Sequence, residues 1–192
     1  MPRTKEQQTI RTKRYHRAIK EMLLSVMPEP QTGIEVGVDK GELSEYLLKT
    51  FPKLQLVLVD PWHEHKPRSH FRRRGSNKEM GSRTQEEWDV VFAEVKDRLS
   101  LFADRIRVVR ATSLEASEVV EGSFDFTYID ACHTHFHVKQ DIECWMPKTT
   151  KLIFGHDYSR NYPGVKRAVN EAFGNDLILN EKHRLWGHVI HG

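Results

Sequence analysis

Cysteine is scarce in this sequence of 192 residues, which contains only Cys132 and Cys144. Two cysteines are too few for a disulfide framework or a cysteine-based zinc site, so both are predicted to be buried thiols. Long apolar runs are also lacking, since none approaches the roughly 20 residues of a membrane span. The N-terminus shows no apolar signal core. These absences predict a soluble, cytoplasmic protein with no membrane partner.

Neither sign of charge dominates the composition. Lys plus Arg number 30, Asp plus Glu number 27, and the formal net charge is +3. So small an excess neither demands nor excludes a nucleic-acid partner. The length is enough for one complete core and too short for two typical domains. We therefore predict a single domain over residues 1–192.

A glycine-bearing turn follows the first predicted strand. The run Gly33–Val36 breaks at Gly37, and Gly41 precedes a helix. Glycines there allow a tight turn and let a ligand approach backbone that carries no Cβ. Val38 and Asp39 stand where the dinucleotide fingerprint Gly-x-Gly-x-x-Gly would have its second glycine. The spacing therefore disfavours an enzyme that uses NAD or FAD.

An acidic residue ends the second predicted strand. The apolar run Leu54–Val59 leads directly into Asp60, Pro61 and Trp62. An acid roughly 20 residues past the glycine turn is placed to accept hydrogen bonds from a ribose diol. The glycine turn and this acid together predict a nucleotide-type cofactor.

Two basic segments stand apart from the alternating pattern. Residues 1–30 contain a basic amphipathic helix with Tyr15, Ile19 and Met22 on one face. Its charged face could form a lid or a nucleic-acid-binding arm, but a solvated helix surface is the favoured interpretation. Residues 63–84 form a long basic insert, and long loops in compact domains are commonly functional or disordered.

Predicted strands and helices alternate along the rest of the chain. After the second strand, a helical stripe runs from Trp88 to Phe102, and further helices lie near 138–145 and 163–173. Strands are predicted at 106–109, 124–129, 151–155, 177–179 and 185–190. This order predicts a Rossmann-like α/β fold, a three-layer sandwich with a mostly parallel seven-stranded sheet and an antiparallel terminal strand.

Polar side chains collect where the predicted strands end. Ligands of parallel α/β sheets bind outside the carboxyl ends of the strands, so these residues mark the predicted site. They are Asp39, Asp60, Thr112, Ser113, Asp130, His133, His156 and Asp157.

Four segments resemble the motifs of class I S-adenosylmethionine-dependent methyltransferases, and more narrowly those of the macrocin-type O-methyltransferases. They are residues 34–41, 59–62, 128–133 and 154–158, the last followed by 163–165. The resemblance implies S-adenosyl-L-methionine as the methyl donor, with the glycine loop beneath its methionine part, Asp60 on its ribose, and Thr112 and Ser113 beside its adenine. The implied cofactor-binding set is Glu35, Gly37, Val38, Gly41, Asp60, Pro61, Trp62, Thr112, Ser113 and Asp130.

The same resemblance implies the catalytic groups. Positions matching Asp130, His156 and Asp157 hold a divalent metal, Mg or Mn, and the position matching His133 serves as the base beside Asp130. Such a cation would orient acceptor hydroxyls and lower their pKa. His156 replaces the acidic ligand usual in metal-using members, so a softer divalent ion and metal-free catalysis by His133 both stay open.

The arrangement of these groups depends on which strands are neighbours. Adjacent strand ends lie about 5 Å apart, so Asp130, His156 and Asp157 converge only if the fourth and fifth strands pair. Two carboxylates brought together without a cation would repel, which favours either a bound metal or a raised pKa on one of them.

The predicted partner is a small-molecule methyl acceptor that presents a hydroxyl group. Two alternatives remain open at this point. One is an RNA-modifying methyltransferase. The other is a catalytically inactive S-adenosylmethionine-binding protein whose basic segments engage nucleic acid or another protein, with the salt dependence that phosphate contacts produce.

Overall fold

The computed structural model describes residues 5–63 and 83–191. Its seven strands form one sheet in the order β3-β2-β1-β4-β5-β7-β6. Strands β1 to β5 pair in parallel, and β7 runs antiparallel to both β5 and β6. The predicted sheet is therefore confirmed. The strands are β1 Thr32–Val36, β2 Gln55–Val59, β3 Ile106–Val109, β4 Phe124–Ile129, β5 Thr149–Gly155, β6 Ile178–Asn180 and β7 Leu185–Val189.

Helices cover both faces of the sheet and complete the predicted three layers. Helices α1 to α3 pack on one face, and α4 to α6 pack on the other. Within the described ranges, no helix is both long and apolar enough to span a bilayer. The helices are α1 Lys5–Val26, α2 Glu42–Thr50, α3 Gln85–Arg98, α4 Ser113–Val119, α5 His135–Trp145 and α6 Pro163–Phe173.

The continuous apolar run of β2 reflects its central place in the sheet. Leu56 and Leu58 join the core beneath α1 to α3, whereas Val57 and Val59 join the core beneath α4 and α5. Side chains of a strand alternate between faces, so a strand covered on both sides needs apolar residues at every position.

Helix boundaries differ from the sequence predictions in two places. Helix α3 ends at Arg98, and the rest of the predicted stripe lies in a 3-10 helix, Ser100–Arg105. Helix α4 was not predicted, although Thr112 and Glu115 form a capping box at its start, which is a sequence-level signal. The predicted insert 63–84 lies outside the described residues except for its ends.

Asp141 is a buried carboxyl between α5 and α4, with an exposure of 3%. Burial raises its pKa from 3.8 to about 6, although a hydrogen bond with Ser113 opposes the rise. Its Oδ2 has no hydrogen-bond partner among the described residues. Because the folded state binds the proton more tightly than the unfolded chain, this carboxyl loses its stabilising contribution as pH rises from about 4 to about 6.

We predict that Asp141→Asn is more stable than the wild type at about pH 8, by about 1 to 3 kcal/mol, and that the gain vanishes near pH 4. Urea unfolding at both pH values measures the difference. Asp104→Asn, at an exposed carboxyl, serves as the control. A gain that is equal at both pH values would contradict the titration of Asp141.

Candidate active site

Two glycines shape the loop between β1 and α2. Gly37 has φ +94° and Gly41 has φ +70°, both in the left-handed region that glycine adopts without strain. A Cβ on Gly37 would lie 2.5 Å from the carbonyl oxygen of Asp130, whereas one on Gly41 would make only ordinary contacts. Gly37 is therefore required for the loop to approach the end of β4, and Gly41 for the turn into α2.

The Asp60 carboxylate holds this loop from the end of β2. Its Oδ2 accepts hydrogen bonds from the backbone N–H groups of Val38 and Asp39, each at 3.0 Å, and its Oδ1 accepts one from Trp62 at 2.8 Å. Burial raises the pKa of Asp60, and the backbone hydrogen bonds oppose the rise. The predicted ribose ligand is thus also the support of the glycine loop.

Trp62 lies in the core, whereas Pro61 is partly exposed. The indole of Trp62 packs against Phe92 with ring centroids 4.9 Å apart, and its N–H donates to the carbonyl oxygen of Asp39 at 2.9 Å. The side chain is fully buried. The ring therefore offers no exposed face for the predicted cofactor contact, and its role in the structure is to support the loop.

Glu35 lies beneath the loop. Its carboxyl accepts a hydrogen bond from the Ser44 hydroxyl at 2.6 Å. Burial raises the pKa of Glu35 to about 8 despite this bond, and the nearby charges of Asp130 and Asp60 act in the same direction. Glu35 is therefore mostly protonated at neutral pH and can donate a hydrogen bond.

Thr112 and Ser113 lie just past the end of β3, next to the Asp60 strand end. The Thr112 hydroxyl donates to Glu115 at 2.6 Å, and the Ser113 hydroxyl accepts from the Trp145 indole at 2.9 Å. Both residues are partly exposed. The structure thus brings the predicted adenine-side residues to the same edge of the sheet as the glycine loop.

The polar residues that follow β4 and β5 converge. These strands are parallel neighbours, with Ile129 beside Gly155. Asp130, His156 and Asp157 each place one potential ligand atom within 4.8 Å of the others, so the predicted convergence is confirmed. A set of two carboxylates and one imidazole matches the oxygen and nitrogen donors that divalent ions such as Mn²⁺ accept in proteins.

His133 lies between the two carboxylates. Its Nε2 is 3.2 Å from Asp130 Oδ1 and 3.3 Å from Asp157 Oδ2, and its ring packs on Tyr162 with centroids 4.8 Å apart. The loop before α5 therefore places His133, the predicted base, beside two of the predicted metal ligands.

Two imidazoles and one guanidinium surround Asp157. Burial would raise the pKa of this carboxyl, but the hydrogen bond and charge of His156, with the charges of His133 and Arg184, lower it. Arg184 Nη1 lies 3.3 Å from Asp157 Oδ1. The pKa of Asp157 is therefore not raised, because the contributions of His156, His133 and Arg184 together outweigh burial.

Two tyrosines complete the cluster, and the sequence interpretation gave neither of them a role in the site. The hydroxyls of Tyr15 on α1 and Tyr128 on β4 hydrogen-bond each other and lie 3.2 Å and 3.1 Å from Asp130 Oδ2. Burial, followed by the charge of Asp130, raises the pKa of both phenols well above 10, so both remain protonated. For Tyr15, the signal in the sequence was its place on the apolar face of the predicted N-terminal helix.

Comparison with known proteins places this geometry in a family. A model described as "Methyltransferase domain" matches residues 34–158, more than half of the chain. No curated protein matches the sequence.

Solved structures share the fold at low sequence identity. A Staphylococcus aureus protein described as a caffeoyl-CoA O-methyltransferase has a TM-score of 0.63 at 15% identity, over 92% of this chain and 82% of its own. The O-methyltransferase TomG from Streptomyces achromogenes, solved in complex with SAM, has a TM-score of 0.58 at 12% identity, over 92% of this chain and 78% of its own.

The alignment with a third structure covers almost the whole of this chain and of the other. It is a Clostridium thermocellum protein described as an rRNA methylase, with a TM-score of 0.61 at 11% identity, over 100% of this chain and 98% of its own. The family match excludes the oxidoreductase that the glycine spacing already disfavoured. The chain belongs to the methyltransferase-domain family and shares the fold of these methyltransferase structures.

Proposed function

We propose that this chain, acting as one methyltransferase domain, transfers the methyl group of S-adenosylmethionine to a hydroxyl of a small molecule. The observation that carries the proposal is the convergence of Asp130, His133, His156 and Asp157 beside the glycine loop. A base and a set of metal-ligating side chains at one point are what activation of a hydroxyl needs.

The cofactor is proposed to lie along the carboxyl ends of β1 to β4. Backbone of the loop Gly37–Gly41 would contact its methionine part above Glu35, and Asp60 its ribose. Thr112 and Ser113 would lie beside its adenine. The support is that these residues share the edge of the sheet where α/β proteins bind ligands.

His133 is the proposed base. As the acceptor oxygen attacks the methyl carbon in line with the bond to sulfur, its proton passes to the ring nitrogen of His133 that does not face the carboxylates, and S-adenosylhomocysteine leaves. The resulting imidazolium would be stabilised by Asp130 and Asp157, whose oxygens lie 3.2 and 3.3 Å from Nε2. Positioning of the acceptor supplies the rest of the rate enhancement.

Asp130, His156 and Asp157 would hold a divalent cation. When bound, such a cation orients acceptor oxygens and lowers the pKa of a hydroxyl. Three protein ligands leave coordination positions open on a hard cation, so we propose an acceptor with two adjacent hydroxyl groups.

Labelled methyl transfer to a matched acceptor panel tests this proposal. Catechol and a sugar with vicinal hydroxyls represent the proposed class, and aniline and ribosomal RNA represent the alternatives. We expect transfer to a diol that stops with EDTA and returns with Mn²⁺ or Mg²⁺. Transfer to the amine or to RNA alone would contradict the proposed acceptor class.

Asp60→Asn is expected to weaken S-adenosylmethionine binding by about 1 to 3 kcal/mol, because an amide in place of the carboxylate leaves polar groups of the loop and the cofactor without their charged partner. Isothermal titration calorimetry measures the affinity. Asp104→Asn is the matched control, since its carboxylate is exposed and lies outside the proposed site. Equal affinities of the two variants would contradict the role of Asp60.

Methylation of RNA is the second candidate. It is favoured by the similarity to the protein described as an rRNA methylase, which covers nearly all of both chains, and by the exposed basic residues Lys13, Arg14 and Arg17 on α1. RNA binding that weakens steeply with salt would support it, because phosphate contacts release counterions. The inactive alternative is not proposed, because the predicted catalytic residues converge.

A further inference from the structure

Helix α1 reaches from the N-terminal segment into the proposed reaction centre. Its Tyr15 hydroxyl lies 3.2 Å from Asp130 Oδ2 and also bonds the hydroxyl of Tyr128. The Tyr15 ring packs edge-on against His156, with centroids 4.5 Å apart. One side chain of α1 therefore contacts two of the three proposed metal ligands.

The position of Tyr15 is fixed by the packing of α1. Ile19 and Leu23, one and two turns further along the helix, are fully buried in the core against the sheet. Residues at this spacing share a helix face. Tyr15 therefore cannot leave Asp130 by a motion of the helix without exposing that apolar face.

Both phenol oxygens lie close to one oxygen of Asp130. Because each phenol carries a single proton, one hydroxyl donates to Asp130 Oδ2 and accepts from the other. Oδ2, which they contact, lies 3.8 Å from His156 Nδ1, whereas Oδ1 lies 3.2 Å from His133. The orientation of this carboxylate thus decides which of its oxygens lies beside His156, the other proposed metal ligand, and which lies beside His133, the proposed base. Hydrogen bonds to a ligating carboxylate hold it in the productive orientation.

We infer that Tyr15 is a positioning residue of the methyl-transfer site, which with Tyr128 holds Asp130 Oδ2 toward His156 and Asp157. The inference rests on the proposed function, because Asp130 acts there as a ligand and as the partner of the base. Through Tyr15, helix α1 then forms part of the proposed active site, in addition to presenting a solvated face.

The substitution Tyr15→Phe tests the inference, because it removes the hydroxyl and keeps the ring on His156. We expect kcat with a verified acceptor and the affinity for Mn²⁺, titrated with S-adenosylhomocysteine bound, each to fall about 10- to 100-fold. The affinity for S-adenosylmethionine should stay unchanged. A merely structural role would instead lower thermal stability and leave kcat and Mn²⁺ affinity as they are.

Tyr46→Phe is the matched control. Tyr46 lies on α2 and packs against His16, with centroids 5.2 Å apart, so its loss should leave kcat and Mn²⁺ affinity unchanged. Tyr128→Phe should resemble Tyr15→Phe, and the double variant should lose less than the product of the two single losses, because the two hydroxyls belong to one hydrogen-bond network that ends on the same oxygen. A multiplicative double variant would overturn the shared role.

Failure of this inference can be distinguished from failure of the proposed function. If the wild type and Tyr46→Phe both lack transfer and Mn²⁺ binding, the proposed function fails. If they are active and Tyr15→Phe has the same kcat and the same Mn²⁺ affinity, the inference fails. A crystal structure of Tyr15→Phe gives an independent readout, because we expect the Asp130 carboxylate to rotate, and an unmoved carboxylate would overturn the inference.

Discussion

Gly37→Val is expected to destabilise the folded protein by about 2 to 6 kcal/mol, a large part of the total stability of a domain. The backbone φ of +94° is strained for a branched residue, and the new Cβ would lie 2.5 Å from the Asp130 carbonyl oxygen and 2.6 Å from its carbon. Because those atoms are backbone at the end of β4, they cannot move aside as a side chain could. Urea unfolding measures the loss.

Gly122→Val separates the steric contact from the backbone strain. Gly122 has φ +101°, close to that of Gly37, but a Cβ there would meet nothing within 4 Å. We expect this control to lose only the cost of the strained φ, about 1 to 3 kcal/mol. If both variants lose the same free energy of unfolding, the close approach of Gly37 to β4 is not what requires glycine.

Asp157→Asn is expected to lower turnover by about 10²- to 10⁴-fold and to leave S-adenosylmethionine affinity unchanged. Asn keeps the size of Asp and tolerates the positive φ of 58° at this position. The change therefore removes the charge that faces His133, His156 and Arg184 without disturbing the backbone. Steady-state kinetics and calorimetry measure the two quantities.

Asp104→Asn, at an exposed carboxylate, is the control for loss of one negative charge. It should leave both turnover and cofactor affinity unchanged. A turnover of Asp157→Asn within a few-fold of the wild type would show that neither a cation nor the His133 imidazolium depends on this carboxylate.

The fold could be predicted because each central element carries its own pattern. The apolar run Leu56–Val59 of β2 indicates burial on both faces, and Pro28 lies just past the end of α1. Helix α4 was missed because its seven residues show little apolar periodicity. Its capping box was the stronger signal.

The part of the active site that lies at strand ends could be predicted from the sequence. Asp130, His156 and Asp157 are strand-end residues, so the pairing of β4 with β5 suffices to bring them together. Tyr15 and Arg184 come from α1 and from just before β7, and their contacts depend on how those elements pack. Such contacts cannot be inferred from local spacing.

The structural reason for Gly37 also lay beyond the sequence. The glycine was interpreted as allowing a tight turn and the approach of a ligand, and the structure adds that the backbone of Asp130, just past β4, occupies the direction of a Cβ. Trp62 is a similar case, because its place after Asp60 suggested the cofactor and its ring packs in the core.

A crystal structure with S-adenosylhomocysteine and Mn²⁺ tests the proposed site most directly. We predict an anomalous peak bound by Asp130, His156 and Asp157, with the cofactor over the Gly37–Gly41 loop and its sulfur facing the side of the site that holds His133. A cofactor bound elsewhere, or one whose sulfur points away from this cluster, would contradict methyl transfer at these residues.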